Sequence, residues 1–310
     1  MEKQSKWGIL YCPKHATHNR HKFREKVEHC LLEKGVEYDL VQSENTKSVE
    51  RLITMFINNG YKTIVVVGGD SALNDAANCL MNAEKHVRDE IALGLIPNGV
   101  MNDFASFWEM EVGEIEHNID WIIARRVRKI DLGCIRYADK QGNRRHRYFL
   151  NSVNVGLLSD IMNLRRRTRR FFGSRILSFI FSFVLLLFRR KDYKMHVKIN
   201  TDVVKRKIMM VCVGNALGYG QTPNAVPYNG LLDVSVVYHP EMMQLFEGFY
   251  LYLSGKILNH KSVHPYRTRR VDFVEVSNAP VNIDGRMLDN IHGDFRVEVE
   301  QEVLNFIMPC

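Results

Sequence analysis

Through the first 130 residues, short wholly apolar runs alternate with amphipathic ones, and the spacing predicts strands and helices in turn. Residues 7–11 read as a buried strand, 20–33 as a helix closed by Gly35, 36–41 as a second strand, and 48–58 as a helix ending before Gly60. Thr63 to Val67 is a third apolar run, and it ends in Gly68-Gly69-Asp70. The segment after it places Leu73, Ala76, Ala77, Leu80 and Met81 on one face of a helix. A strand over 91–96 and a helix over 115–124 complete the series. Such alternation is the pattern of an α/β domain with a parallel sheet and helices on both faces, whose ligands bind beyond the carboxyl ends of the strands.

After Asp131 the texture changes. Runs at 147–155, 193–199, 207–213, 231–237, 271–277, 281–284 and 295–299 have the β-branched and aromatic content of strands, separated by Gly, Asn and Pro turns. Two helices interrupt them, one around the Arg-flanked apolar run 176–188 and one over 241–253, where Phe246, Phe249 and Tyr250 fall at helical spacing and read as core packing. The expected organisation is an α/β domain over 1–130 and a β-sandwich-like domain over 131–310, with the final strand a candidate to return to the first.

At 310 residues and 45% hydrophobic content, the chain can bury two cores. Its net charge of +8 sits in one place: residues 165–191 hold nine Lys or Arg and no acid, while the remainder carries 34 basic and 35 acidic residues. A nucleic-acid binder spreads its basic residues over a face, so no nucleic-acid partner is expected. The apolar run inside this segment spans about 20 Å as a helix, short of a bilayer core of about 30 Å. Two readings stay open: a helix buried in the protein, or one lying on an anionic membrane surface with Arg165, Arg166, Arg167, Arg169, Arg170, Arg189 and Arg190 on the headgroups. The six cysteines form no Cys-x-x-Cys pair and the N-terminus lacks an apolar leader, which suits reduced thiols in a cytoplasm.

Candidate chemistry begins at Gly68-Gly69-Asp70-Ser71. Two glycines after a buried strand let the main chain turn sharply and approach a ligand, and the helix that follows offers N–H groups and a positive dipole end to an anion. A tight turn with an Asp cap would use the same residues. The second loop, Pro97-Asn98-Gly99-Val100-Met101-Asn102-Asp103-Phe104-Ala105, follows the next strand, and the pair of loops makes a cleft suited to phosphate.

Six ordered motifs carry a resemblance. Gly68-Gly69-Asp70-Ser71-Ala72-Leu73-Asn74-Asp75, the Pro97 to Ala105 loop, Phe149-Leu150-Asn151, the turn from Gly214-Asn215 to Ala225, Asn229-Gly230-Leu231-Leu232-Asp233-Val234 and Ile283-Asp284-Gly285-Arg286 together resemble the diacylglycerol kinase catalytic-domain family. These are bacterial lipid kinases related to sphingosine and ceramide kinases, with a fold akin to NAD kinase. The resemblance implies transfer of the γ-phosphate of ATP to a lipid hydroxyl, with Mg²⁺ as cofactor and the nucleotide between the domains. It assigns Asp284 as base and Asp70 as a second catalytic carboxylate. Gly68, Gly69, Asp70, Ser71, Asn74, Pro97, Gly99, Asn102 and Asp103 would hold the nucleotide, with Lys14 a further phosphate candidate. Asp233 and Asn229 would form a metal site.

The departures are as informative. Ser71-Ala72 replaces the family Gly-Thr, at a position that could require positive φ, and Val100-Met101 replaces Thr-Gly. Tyr228-Asn229 stands for an acidic pair, which weakens the metal site. Arg286 stands for a Glu, two residues from the implied base, where it could lower the pKa of that base or pair with a phosphate. They leave open a catalytically weak or inactive membrane-associated protein that binds ligand. NAD kinase shares Gly-Gly-Asp-Gly-Thr and is a third alternative. The acceptor lipid and the oligomeric state, a homodimer included, stay open.

Overall fold

The structure, a computed structural model, describes residues 6–13, 20–99, 102–172, 181, 184–185, 192–217, 221–241, 244–289 and 291–309. The chain forms two compact units, residues 1–132 with 301–310, and residues 133–300.

In the first unit, β1 (Trp7–Tyr11), β2 (Tyr38–Gln42), β3 (Thr63–Gly68) and β4 (Ala92–Pro97) form a parallel sheet in the order β2-β1-β3-β4. Helices α1 (Arg20–Glu33), α2 (Thr46–Asn58), α3 (Asp70–Asn82), the single turn α4 (Lys85–Arg88), α5 (Asp103–Phe107) and α6 (Ile115–Ala124) join the strands. Every residue of β1, β3 and β4 is buried, which is why these strands are continuous apolar runs. Alternation sorts their side chains: Ile9, Val65 and Val67 pack with Val27 and Leu31 of α1 and Ile115, Ile119 and Ile122 of α6. Gly8 receives Phe56 of α2, whose ring lies 2.7 Å from where a Cβ would stand. A capping box starts α2, with the Asn45 side chain accepting from Ser48 N–H and the Ser48 hydroxyl accepting from Asn45 N–H.

The second unit is a sandwich of antiparallel strands. Its elements are β5 (Val127–Ala138, entering from the first unit), β6 (Arg144–Phe149), β7 (Ser152–Gly156), α7 (Leu157–Phe172), β8 (Tyr193–Ile199), β9 (Asp202–Ile208), β10 (Met210–Gly214) and β11 (Leu232–Val237). Then come α8 (Gln244–Leu253), β12 (Val263–Thr268), β13 (Arg270–Val276), β14 (Val281–Ile283), β15 (Arg286–Met287) and β16 (His292–Ile307). A six-stranded sheet runs β12-β11-β10-β7-β14-β15. Its Val153, Val155, Val211, Val213, Val234 and Val236 meet Val197, Ile199, Val271, Phe273, Phe295 and Val297, with the Phe273 and Phe295 rings stacked at 4.4 Å. On the opposite face of the six-stranded sheet, Leu157, Leu158, Ile161 and Met162 of α7 pack with Met209, Met210 and Cys212, joined by Tyr252 of α8. The end of β16 belongs to the first unit, where Phe306 pairs with Leu93 of β4.

Several expected elements are redrawn. The strand expected over 147–155 is broken into β6 and β7 by a corner at Leu150-Asn151, and the one over 207–213 is broken at Met209 into the ends of β9 and β10. The helix expected over 241–253 is described from Gln244. Arg165, Arg166, Arg167, Arg169 and Arg170 lie within α7, whereas Arg189, Arg190 and most of 176–188 fall outside the described residues. Among the described residues, no helix is long and apolar enough to cross a membrane.

Candidate functional site

The turns after β3 and β4 touch main chain to main chain. A Cβ on Gly69 would lie 2.9 Å from Gly99 Cα, and one on Gly99 would lie 2.7 Å from Gly69 Cα and 2.2 Å from Asn102 Oδ1. Only glycine fits either position. Gly69 is also the N-cap of α3 and supplies no side-chain acceptor to it, while Asp70 puts a carboxylate in the first turn of that helix. Around this contact, Asn98 N–H donates to Gly68 carbonyl at 2.7 Å, and Gly99 N–H donates to Asn102 Oδ1 at 3.0 Å. Asn102 Nδ2 donates back to the Gly99 carbonyl at 3.2 Å, which closes the turn on itself. Asp70 Oδ2 accepts the Asp103 N–H at 2.8 Å.

Ser71 is exposed and lies inside α3, so the Ser-Ala departure falls on ordinary helical backbone and no positive φ is needed there. Asn74 is buried, and its carbonyl and Oδ1 accept from Asn78 Nδ2 at 2.8 and 3.0 Å, holding it as a structural polar group of α3. Pro97 closes β4 opposite Gly68. Lys14, Val100 and Met101 lie outside the described residues. Beside Asn102 and Asp103 opens a cleft of about 1030 Å³ whose lining, among the described residues, takes in Glu109, Glu111 and Glu114 and no Lys or Arg, which disfavours a polyanion on that side.

In the second unit, Asp284 and Gly285 form the two-residue tip of the β14–β15 hairpin, with φ of 43° and 80°. Positive φ at both positions of a two-residue hairpin selects Asp-Gly, which explains this part of the motif physically. The Asp284 carboxylate turns inward and is 3% exposed. Oδ2 accepts Leu150 N–H at 2.8 Å, and Oδ1 accepts Asn151 N–H at 3.1 Å and Ser152 N–H at 2.8 Å. The carboxylate therefore makes the corner that breaks β6 from β7. Burial pushes its pKa up to about 6, against the pull of those three N–H groups and of Arg147. Arg147 is thus a cation acting on Asp284 that no local signal in the sequence marked.

The expected metal pair does not fit a cation. Asp233 is held by Arg267, with Nε 2.6 Å from Oδ1 and Nη2 3.2 Å from Oδ2, and Asn229 Oδ1 accepts Leu231 N–H at 2.9 Å. The Asp233 charge is thus already paired, and the Asn229 oxygen, in an exposed turn, is engaged by a main-chain N–H. Among the described residues, no group of three or more His, Cys, Asp or Glu could hold a metal ion. The five cysteines described are free, and burial pushes Cys12 up to about 11 and Cys212 up to about 12, so these thiols stay protonated.

Residues 6–135 match the diacylglycerol kinase catalytic domain, and residues 151–308 match the YegS C-terminal NAD kinase beta sandwich-like domain. A diacylglycerol kinase of Staphylococcus carnosus is 20% identical over 244 residues, covering 77% of this chain and 74% of its own. A probable YegS-like lipid kinase of Shewanella frigidimarina is 23% identical over 286 residues, covering 90% and 87%. The crystal structure of a diacylglycerol kinase from Bacillus anthracis superposes with a TM-score of 0.68 at 16% identity, covering 99% of this chain and 98% of that one. That likeness bears on the fold.

Proposed function

Because the chain belongs to the diacylglycerol kinase catalytic-domain family, we propose that it is an ATP-dependent lipid kinase, transferring the γ-phosphoryl group to the hydroxyl of diacylglycerol or a related lipid. The observation that carries this reading is the glycine-capped start of α3, pressed against Gly99 so closely that no side chain fits. A triphosphate there receives main-chain N–H groups and the positive end of a 13-residue helix. Asp70 and Asp103 supply carboxylate oxygens of the kind Mg²⁺ takes, and that ion, when bound, offsets the charge of the β- and γ-phosphates. Asp284 is the base. It takes the hydroxyl proton as the alcohol oxygen bonds to phosphorus and ADP departs.

Incubating the purified protein with γ-labelled ATP, magnesium and mixed micelles tests this. Diacylglycerol, phosphatidylglycerol and a sphingoid base are offered in turn, with NAD as a soluble acceptor. A labelled lipid supports the proposal. Labelled NAD assigns the chain to the NAD kinase alternative, and nucleotide binding without any labelled product leaves the non-catalytic reading in possession.

The same reading includes peripheral attachment to an anionic bilayer. Tyr252 turns α8 toward the six-stranded sheet, and Phe246 and Tyr250 project the other way, 71% and 70% exposed. The start of α7 packs on that same sheet face, and its later turns contain the arginine run. Exposed aromatic side chains suit headgroup depth at such a surface, and the excess of arginine in the sequence of α7 suits its charge.

A further inference from the structure

We infer that Arg267 takes the place of the divalent cation that the family resemblance assigns to Asp233, so that this end of the six-stranded sheet is held without metal. Asp233 and Arg267 are direct partners across β11 and β12. The guanidinium reaches three oxygens: Nε donates to Asp233 Oδ1 at 2.6 Å, and Nη2 donates to Asp233 Oδ2 at 3.2 Å and to the Asn224 carbonyl at 3.4 Å. A carboxylate with a main-chain carbonyl is the donor set of a hard cation. Here a planar fork of positive charge matches the same oxygens and ties the turn at Asn224 to β11.

Burial and the neighbouring turn agree with this. The Asp233 side chain is 13% exposed and that of Arg267 is 50% exposed, so the arginine covers the carboxylate from the solvent side. Asn229, the other expected ligand, is folded into an Asx-type turn by its bond to Leu231 N–H. A side chain carried by the chain itself cannot be diluted or chelated away, and this part of the second unit is therefore indifferent to the metal content of its surroundings.

Thermal unfolding of the nucleotide-free protein, first in chelator and then in millimolar calcium or magnesium, tests the substitution of arginine for metal. The wild-type melting temperature should be the same in all three conditions. Arg267→Ala should lower it by about 2–4 °C, the loss expected for one charge-assisted pair in a unit of this size. That variant should regain part of the loss in calcium, because the vacated oxygens then bind an ion only in the folded state. Should the alanine protein not fold, Arg267→Gln, which keeps an amide donor and sheds the charge, serves for the same comparison. A wild-type protein stabilised by calcium, or a folded Arg267 variant indifferent to it, overturns the inference. No turnover is measured, so either result leaves the kinase reading to its own assay.

Discussion

The carboxylate of Asp70, first residue of α3, accepts the main-chain N–H of Asp103, first residue of α5, at 2.8 Å. Two strand-end turns are thereby tied together by a side chain in the first turn of α3, where the triphosphate is proposed to bind. Asp70→Ala strips the acceptor from a half-buried contact and should cost about 1 kcal/mol in urea unfolding. Lipid phosphorylation should fall by roughly 10²-fold or more. Asp70→Asn keeps an acceptor and should recover much of the stability with little of the activity. Full turnover by the alanine protein would remove Asp70 from the chemistry.

Gly99→Ala drives a methyl group into Gly69 Cα and Asn102 Oδ1. Neither neighbour can yield without opening the turn, so we expect a loss of about 1–3 kcal/mol, typical of overpacking. Nucleotide titration should show weakened ATP binding, because the turn at the start of α3 must shift. Unchanged affinity in this variant would mean that the nucleotide binds elsewhere.

Asp284 should impose opposite pH slopes on stability and on rate. Its folded pKa of about 6 lies above the ordinary value of 3.8, so the native carboxyl holds a proton that the unfolded chain has already released. Its stabilising contribution is fully present below pH ~4 and is lost as pH rises through ~6. Turnover runs the other way, since a base must be ionised, and should decline on acidification through pH ~6. Asp284→Asn should abolish measurable turnover and flatten that part of the stability profile. Retained activity with an unaltered acid limb would disqualify Asp284 as the base.

Cosedimentation with anionic vesicles reads the outer face of α8. Replacing Phe246 and Tyr250 together with serine should weaken binding about tenfold or more, since two large apolar side chains lose their burial in the headgroup region. High salt should weaken it independently. Stability should barely change, because both side chains are exposed. Equal binding to neutral vesicles would argue against an electrostatic component.

What the residues disclosed directly was whatever a local rule determines. Strands β1, β3 and β4 are continuous apolar runs, and the glycine turns follow from where those runs stop. The corner at Leu150-Asn151 was illegible because the stretch 147–155 has no Gly or Pro to mark a break, while the carboxylate that bends it lies 134 residues further along the chain. Arg267 was missed for a similar reason: its partnership with Asp233 arises from strand register, which neither residue advertises. Helical spacing made Phe246 and Tyr250 look internal. In the fold, the side of α8 bearing Tyr252 packs inward and theirs faces outward.

Ribosomal synthesis delivers residues 301–310 after the whole of the second unit, yet they belong to the unit begun before it. Leu304, Phe306 and Ile307 are buried there, and the Phe306 ring meets Phe104 edge-on at 5.2 Å, one residue beyond Asp103. The two glycine turns thus lack this prop until the second unit has been made, and a chain cut before residue 301 would carry every proposed catalytic residue on a half-built foundation.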